Sequence, residues 1–378
     1  MLPYISCYVV ATLNGLFSKT IKLRISHNRE ILVNTFLFSF FIFGLLIGFR
    51  DSIALDDGMY IRAFNQAIRT GETDRTIEYS YVLICRIFAY LHLNYQAVFL
   101  FYSVGGALLI GKAFCKIAEQ NEYVLVFALF WAIQFTNLMT AMRQFLAIGL
   151  VVNAYLFFKE QKKTKCIIFA LLSIAVHVTA IAALLLLTLI PLVRRIKYQA
   201  RIAILVSLYI LQYIPFASIF TDLMGKISVL QSNYYVRYFL VTGAKWIFTD
   251  PLGINDTIIL ILTMLVMWYV NENKELFYSC SVGKIKILSF ADIESLCFLY
   301  WAAIMFLNQF GFLRRIIWFL SCFATVYIVK GLRIFSKDNR WVVRFVVFLF
   351  FFAIFVYSLT IYPEQIIPYR WNYRIFAE

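Results

Sequence analysis

Residues Phe345 to Tyr362 read FVVFLFFFAIFVYSLTIY, 18 positions without a charged side chain and apolar on every face. As a helix this stretch is about 27 Å long, close to the roughly 30 Å hydrocarbon core of a bilayer. A helix of a soluble protein keeps a polar face for water, and this one has none. Thr257 to Val270 repeats the pattern. Working outward, further apolar runs fall at about Leu2–Phe17, Ile31–Phe49, Tyr95–Phe114, Tyr123–Met139, Phe145–Phe158, Cys166–Leu192, Ile202–Phe220, Ile287–Leu307 and Ile316–Val329, with Tyr79–Leu93 as a further candidate. The expectation is an all-α, polytopic transmembrane helix bundle of about 11–12 spans. It forms a single integral membrane domain over residues 1–378, with two larger external loops at about 50–78 and 221–256.

Composition agrees: 62% of residues are hydrophobic and 15% charged. A net charge of +15 beside 39 Phe and 24 Tyr invites a nucleic-acid reading. The basic residues, however, sit in short clusters between apolar runs, which is the pattern of cytoplasmic loops rather than of a binding stripe, so no nucleic-acid partner is expected. The seven cysteines are scattered without a CxxC or Cys/His pairing and read as small core residues. The first apolar run begins at Met1 without a basic leader, so no cleavable signal peptide of the usual form is expected.

Loop charge sets the orientation. Lys19, Lys22, Arg24 and Arg29 form one short basic loop and Arg333, Lys337, Arg340 and Arg344 another, so both are expected in the cytoplasm. The N-terminus, the loop from Arg50 to Glu78, the loop from about Thr221 to Asp256 and the C-terminal tail then lie outside. One segment resists this count. Lys159, Lys162, Lys163 and Lys165 precede it, Arg194, Arg195, Lys197 and Arg201 follow it, and both clusters ask for the cytoplasm. The 28 uncharged residues between them would make a helix of about 42 Å. Either this helix tilts steeply, or it is a re-entrant pair of half-helices broken near His177. If Tyr79–Leu93 spans the membrane the first holds and Arg143 lies near the cytoplasm; if it does not, the second holds and Arg143 is external.

Ionisable residues beside such runs cost about 2.5–3.5 kcal/mol each to insert, which marks them as candidates for a wet, working cavity. FRDSIALDDGMY, Phe49 to Tyr60, puts Arg50 beside Asp51, Asp56, Asp57 and Tyr60, with Glu78 and Tyr79 at the foot of the next run. Carboxylates there could deprotonate a hydroxyl, and an Arg fork could hold a phosphate; a snorkelling Arg anchor is the structural alternative. NLMTAMRQFLAIGL, Asn137 to Leu150, carries Arg143 and Gln144 between apolar neighbours. They suit anion recognition, or Arg143 forms a structural pair with an acid such as Glu78. His177 is the histidine deepest in an apolar run, and it suits proton transfer to or from a sugar hydroxyl or a buried hydrogen bond. NYYVRYF, Asn233 to Phe239, surrounds Arg237 with rings that could stack on sugars or line an interfacial belt. Arg314 and Arg315, in an external turn, run against the usual charge bias and hint at an anionic ligand.

No GxxxxGK[ST], HExxH, GxSxG or GxGxxG sequence is present, so NTP hydrolysis, zinc proteolysis and nucleotide cofactors have no support. A lipid-linked donor is the natural alternative to a nucleotide sugar. Taken in order, Arg50 with Asp56 and Tyr60, then Glu78–Tyr79, then Arg143–Gln144 with Ala147, then His177–Val178–Thr179 and Pro368–Tyr369, the chain resembles the EpsG family of polytopic membrane proteins, which overlaps with the Wzy O-antigen polymerases. The resemblance covers the first half in order and spacing and the second half in hydropathy. Ala54 and Leu55 stand where the family has a Gly before its first Asp, which leaves open whether Asp56 or Asp57 is the equivalent acid.

The resemblance implies a multi-pass protein of the bacterial inner membrane, a polymerase of surface polysaccharide. Its substrate would be an undecaprenyl-pyrophosphate-linked oligosaccharide, joined to the next on the periplasmic side without metal or cofactor. Arg143 and Arg50, helped by Arg314 or Arg315, would bind the departing pyrophosphate; Asp56, Asp57 or His177 would activate the acceptor hydroxyl; Tyr60, Glu78, Gln144 and Arg237 would complete the binding site. A chain-length regulator and a flippase are the expected protein partners, beside the lipid bilayer itself. A flippase or other transporter, and a non-catalytic assembly component, are the competing classes. A transporter would show inverted repeats, and no internal repeat is found.

Overall fold

The computed structural model describes residues 1–26, 29–51, 53–54, 56–70, 77–214, 219, 252–273, 287–308, 311–332, 340–361 and 369–376. In chain order the elements are α1 (Leu2–Leu16), a hairpin of β1 (Thr20–Ser26) and β2 (Arg29–Asn34), α2 (Phe36–Gly48), α3 (Asp57–Arg69), α4 (Tyr79–Tyr90), α5 (Tyr95–Ile117), α6 (Tyr123–Thr140), α7 (Met142–Lys159), α8 (Lys163–Val176), α9 (Ala180–Thr188), α10 (Ile190–Val193) and α11 (Tyr198–Leu211). Then follow α12 (Ile254–Glu272), α13 (Phe290–Leu307), α14 (Gly311–Ile317), α15 (Ser321–Gly331) and α16 (Arg340–Ile361). The class is the all-α polytopic bundle expected. Among the described residues five helical stretches are long and apolar enough to cross a bilayer: α5, residues 120–140 around α6, α12, α13 and residues 341–360 of α16. The short antiparallel hairpin is a departure from the apolar runs: Ile31 to Asn34 look like the start of a span, but they pair with Thr20 to Leu23, and the helix begins only at Phe36.

The chain packs as two compact units. One comprises residues 1–184, 284–288 and 335–378, the other residues 185–283 and 289–334. In the first unit α1, α2, α5, α6, α7, α8 and α16 run alternately between two ends, while α4 starts next to Glu78, beside Arg143, and ends near Leu93, beside the C-terminal segment, at the same end. At one end the hairpin closes on the bundle: Lys19 N–H donates to Thr35 Oγ1 at 2.9 Å, Asn34 Nδ2 donates to the Tyr123 hydroxyl at 2.8 Å, and the Phe36 and Tyr123 rings stack 4.2 Å apart. Glu160, in the turn between α7 and α8, accepts from Lys116 and Lys162, each at 2.6 Å. Arg344 reaches the Asn121 carbonyl at 3.3 Å. This end therefore gathers the basic clusters around Lys19–Arg29, Lys112–Lys116 and Lys159–Lys165. At the other end lie Arg50, Arg143, His177 and the C-terminal segment from Tyr369.

Between the ends the core is aromatic. Phe43 packs on Trp131 with centroids 4.5 Å apart and on Phe127 at 5.1 Å, and Tyr8 stacks on Phe355 at 4.3 Å, which ties α1, α2, α6 and α16 together. Each such pair adds about 0.5–1.5 kcal/mol beyond simple area burial. Helix α7 is buried on nearly all faces, and its crossing with α5 is close because it is glycine to glycine. A Cβ on Gly149 would sit 2.6 Å from Leu109 Cβ, and one on Gly106 would sit 2.9 Å from the Phe145 carbonyl carbon. In a lipid-embedded bundle small residues supply this approach, since apolar burial drives little helix association there.

The long run 166–192 is broken. Helix α8 ends at Val176, His177 is extended at φ −156° and ψ 114°, and α9 starts at Ala180. Helix α4 has 12 residues, about 18 Å, too short to cross a bilayer alone.

The second unit is built on α13, which packs on α11 and α15. Ser289 caps it, its Oγ accepting from Asp292 N–H at 3.1 Å while Asp292 Oδ2 accepts from Ser289 N–H at 3.3 Å. This box satisfies end groups of the helix that would otherwise lack partners. The buried Arg201 of α11 reaches Glu294 at 3.1 Å. Gln212 Oε1 accepts from Leu252 N–H at 3.0 Å and from Asn308 Nδ2 at 3.2 Å.

Candidate functional site

Arg143, Glu78 and His177 come from three separate stretches of chain and meet at one carboxylate. Arg143 is the second residue of α7, and no acid precedes it in the α6–α7 elbow at Ala141. Its side chain, 6% exposed, runs to the N-terminus of α4, where Glu78 Oε2 receives Nη1. The other carboxylate oxygen, Oε1, lies 2.7 Å from His177 Nδ1 and accepts the Val178 backbone N–H at 3.1 Å. The helix break explains the last bond: between α8 and α9 the backbone N–H of Val178 is not spent in a helix, so it can reach a side chain. Ser80 ties the same corner by donating to the Ala175 carbonyl.

Aromatic rings wall the guanidinium. Arg143 Cζ stands 5.3 Å from the centre of the Tyr60 ring and 5.9 Å from that of Tyr81, and the Tyr81 hydroxyl donates to the Tyr60 carbonyl at 3.0 Å. Cations over ring faces are held electrostatically, the more so where water is excluded. Arg143 Nε is buried and has no hydrogen-bond partner among the described residues. Gln144, next in sequence, is buried, and Ala147, a turn further on, is fully buried.

Arg50 forms a second, separate pair. Arg50 and Asp57 are both 0% exposed. Nε donates to Asp57 Oδ1 and Oδ2 at 3.0 Å, Nη2 to Oδ1 at 2.7 Å, and Nη1 to the Ile47 carbonyl at 2.7 Å. Asp57 Oδ2 also accepts the Ala54 N–H at 2.9 Å. The Phe99 ring lies 5.0 Å from Arg50 Cζ, and Tyr60 packs edge-on to that same ring at 6.3 Å, so two rings, Tyr60 and Phe99, stand between Arg143 and Arg50. Asp56, by contrast, is half-buried at the start of α3 and makes no capping bond with its side chain.

The C-terminal segment lies across Arg50. Arg50 and Trp371 form an antiparallel bridge, Asp51 N–H donates to the Arg370 carbonyl at 3.0 Å, and Asn372 N–H to the Phe49 carbonyl at 2.8 Å. Tyr369 donates to the Leu46 carbonyl at 2.6 Å; burial pushes its phenol well above the ordinary range, so it stays a donor.

Of the residues singled out from sequence, Arg143, Glu78, His177 and Tyr60 come together, and Arg50 with Asp57 sits beyond the Tyr60 and Phe99 rings. Arg314 and Arg315 belong to the second unit, where Arg314 pairs with Asp256 and Arg315 lies 6.0 Å from the Trp318 ring. Arg237, like most of the loop 221–256, lies outside the described residues. Sequence reasoning passed over Tyr81, Phe99 and Gln96, whose Nε2 donates to the Gly48 carbonyl and to the Arg50 carbonyl, the latter at 3.3 Å. Only Gln96 carried a signal, as an amide inside an apolar run.

These features define a polytopic helical membrane protein whose charged cluster is built at one end of a helix bundle. The family model of the EpsG family matches residues 33–371, and the chain belongs to that family. It is a membrane protein of polysaccharide biosynthesis. No curated protein and no solved structure matches it.

Proposed function

We propose that this protein is a glycosyltransferase-type polymerase that joins undecaprenyl-pyrophosphate-linked oligosaccharides on the periplasmic face of a bacterial inner membrane. The observation that carries the reading is the Arg143–Glu78–His177 cluster, with Arg143 buried and Glu78 and His177 partly exposed, at the end of the bundle opposite the lysine clusters. Basic clusters favour the cytoplasm, so the cluster falls on the external side, where lipid-linked repeats are polymerised.

The acceptor sugar hydroxyl attacks the anomeric carbon of the donor. The bond from that carbon to the diphosphate oxygen breaks, its electron pair leaves with the lipid diphosphate, and the hydroxyl proton passes to His177. Arg143 receives the negative charge on the leaving diphosphate. A buried, ring-walled guanidinium does this well because it is preorganised and only weakly screened. Arg50 and Asp57 serve a different end in this reading. Each is consumed by the other and fully buried, so they brace the rim between α2 and α3, and Asp56 remains the more accessible of the two acids.

The test separates a polymerase from a flippase and from an inert assembly component. Purified protein given lipid-linked repeats should extend them without nucleotide sugar and in the presence of EDTA. In a lipopolysaccharide system a deletion strain, or one carrying Arg143→Ala, should display a single repeat on surface lipid and no ladder. Complete absence of that single-repeat band would point to a transporter, and a normal ladder with Arg143→Ala would remove Arg143 from the chemistry.

A further inference from the structure

Among the described residues the Glu78 carboxylate meets Arg143, His177 and the Val178 backbone. Arg143 donates to Oε2 and the Val178 backbone N–H to Oε1 at 3.1 Å. A carboxyl group accepting from a guanidinium and from an amide is ionised, and an ionised carboxylate has no proton to give. The 2.7 Å contact between Oε1 and His177 Nδ1 therefore has one polarity: Nδ1 carries the hydrogen and donates it.

We infer that Glu78 is a positioning residue that holds His177 in the Nδ1–H tautomer, so that Nε2 is the nitrogen that takes the acceptor's proton. The inference rests on the polymerase reading for what Nε2 acts on, but the tautomer itself follows from the geometry. Two features make the hold rigid. Glu78 is anchored to the backbone of the break that carries His177, through Val178 N–H. The first turn of α4 is bolted to the end of α8, where Ser80 donates to the Ala175 carbonyl. A ring fixed through one nitrogen presents the other in one direction, and a fixed proton acceptor close to its hydroxyl is what proton-transfer catalysis needs.

The same carboxylate couples the two halves of the reaction. Before substrate binds, its charge is divided between Arg143 on Oε2 and His177 on Oε1. A lipid diphosphate arriving at Arg143 is a competing anion for that guanidinium, and it leaves the carboxylate's charge to His177. The imidazolium formed by uptake of the acceptor's proton is then balanced by Glu78. Donor occupancy thereby prepares the base, and a histidine without a donor beside it stays a weaker one.

Nitrogen NMR of the full chain tests this. With His27→Gln and His92→Gln in the background, a single imidazole remains, and neutral His177 should show a protonated Nδ1 and an unprotonated Nε2. Glu78→Ala should shift it toward the Nε2–H tautomer and lower polymer yield by about a hundredfold, within the usual contribution of an acid–base group. Glu78→Gln, whose side-chain carbonyl can still accept from Nδ1, should keep the tautomer. If Glu78→Ala fails to insert, the wild-type spectrum alone decides, since an Nε2–H tautomer there overturns the inference. Undiminished polymer from Glu78→Ala at matched protein levels overturns it equally. A protein with the expected tautomer that extends no lipid-linked repeat would instead sink the polymerase reading and leave the positioning intact.

Discussion

At the scale of single residues, the two arginines differ in their surroundings: Arg50 has three acids within seven residues and Arg143 has none within seven. Arg50 is saturated: an acid seven residues away takes Nε and Nη2, and a carbonyl takes Nη1. Removing one member of a fully buried ion pair strands the other, which costs about 3–5 kcal/mol, whereas replacing both with apolar groups is often neutral. Asp57→Asn should therefore lower the thermal midpoint of the detergent-solubilised protein sharply, and the double variant Arg50→Met/Asp57→Leu should recover it together with polymer formation. Recovery of the fold without activity would show that Asp57 does chemistry. Arg143, whose Nε has no hydrogen-bond partner among the described residues, should behave differently. Arg143→Lys keeps the charge but loses the planar fork, so polymer yield should fall about tenfold or more while the amount of inserted protein stays unchanged on immunoblots.

At the scale of elements, the position of Arg143 depends on the α5–α7 crossing. Gly149 faces Leu109 and the Gly106 carbonyl with no room for a side chain. Gly149→Leu should push α7 outward and lower stability by about 1–3 kcal/mol, the usual cost of overpacking, and loss of activity should accompany loss of yield. The far end of α7 offers a contrasting case. Gln161 closes the turn to α8 at φ 61°, a conformation that costs an L-residue about 1–2 kcal/mol and glycine almost nothing. Gln161→Gly should raise the midpoint slightly and Gln161→Val should lower it, both without changing the activity of the folded protein, because this turn lies at the end away from His177.

At the scale of the whole molecule, the first unit alternates most of its helices between a basic end and a site end, with α4 beginning and ending at the site end. Both chain termini of that unit, Tyr4 and Tyr369, meet at the site end, with ring centroids 5.2 Å apart. Reporter fusions after Arg24 and Lys337 should accordingly read cytoplasmic, and fusions near Thr70, Thr242 and the C-terminus periplasmic. An external signal at Arg24 would invert the bundle and move the Arg143 cluster to the wrong side for polymerisation. A fusion after Lys162 is the most informative, because the helix break at His177 and the 12-residue α4 both require that turn to share the cytoplasmic side.

The membrane class, the all-α bundle, the edges of most apolar runs and the charged residues set among them were legible in the sequence alone. Transfer into hydrocarbon is a local property, and each run or charge declares its cost without reference to the rest of the chain. What the sequence left as two alternatives, a tilted helix or a pair broken near His177, the fold resolves as a break. The reason is tertiary: the carboxylate that accepts Val178 N–H stands 100 positions away. Pairing was only partly within reach: Glu78 was already a candidate acid for Arg143, but the choice of Asp57 by Arg50 and the share His177 takes in Glu78 were not. Arg50 takes the acid seven residues on, while Arg143 takes Glu78, 65 positions back, and His177 shares it across 99. Which carboxylate pairs with which cation depends on which groups packing excludes from water together, and only the folded chain decides that.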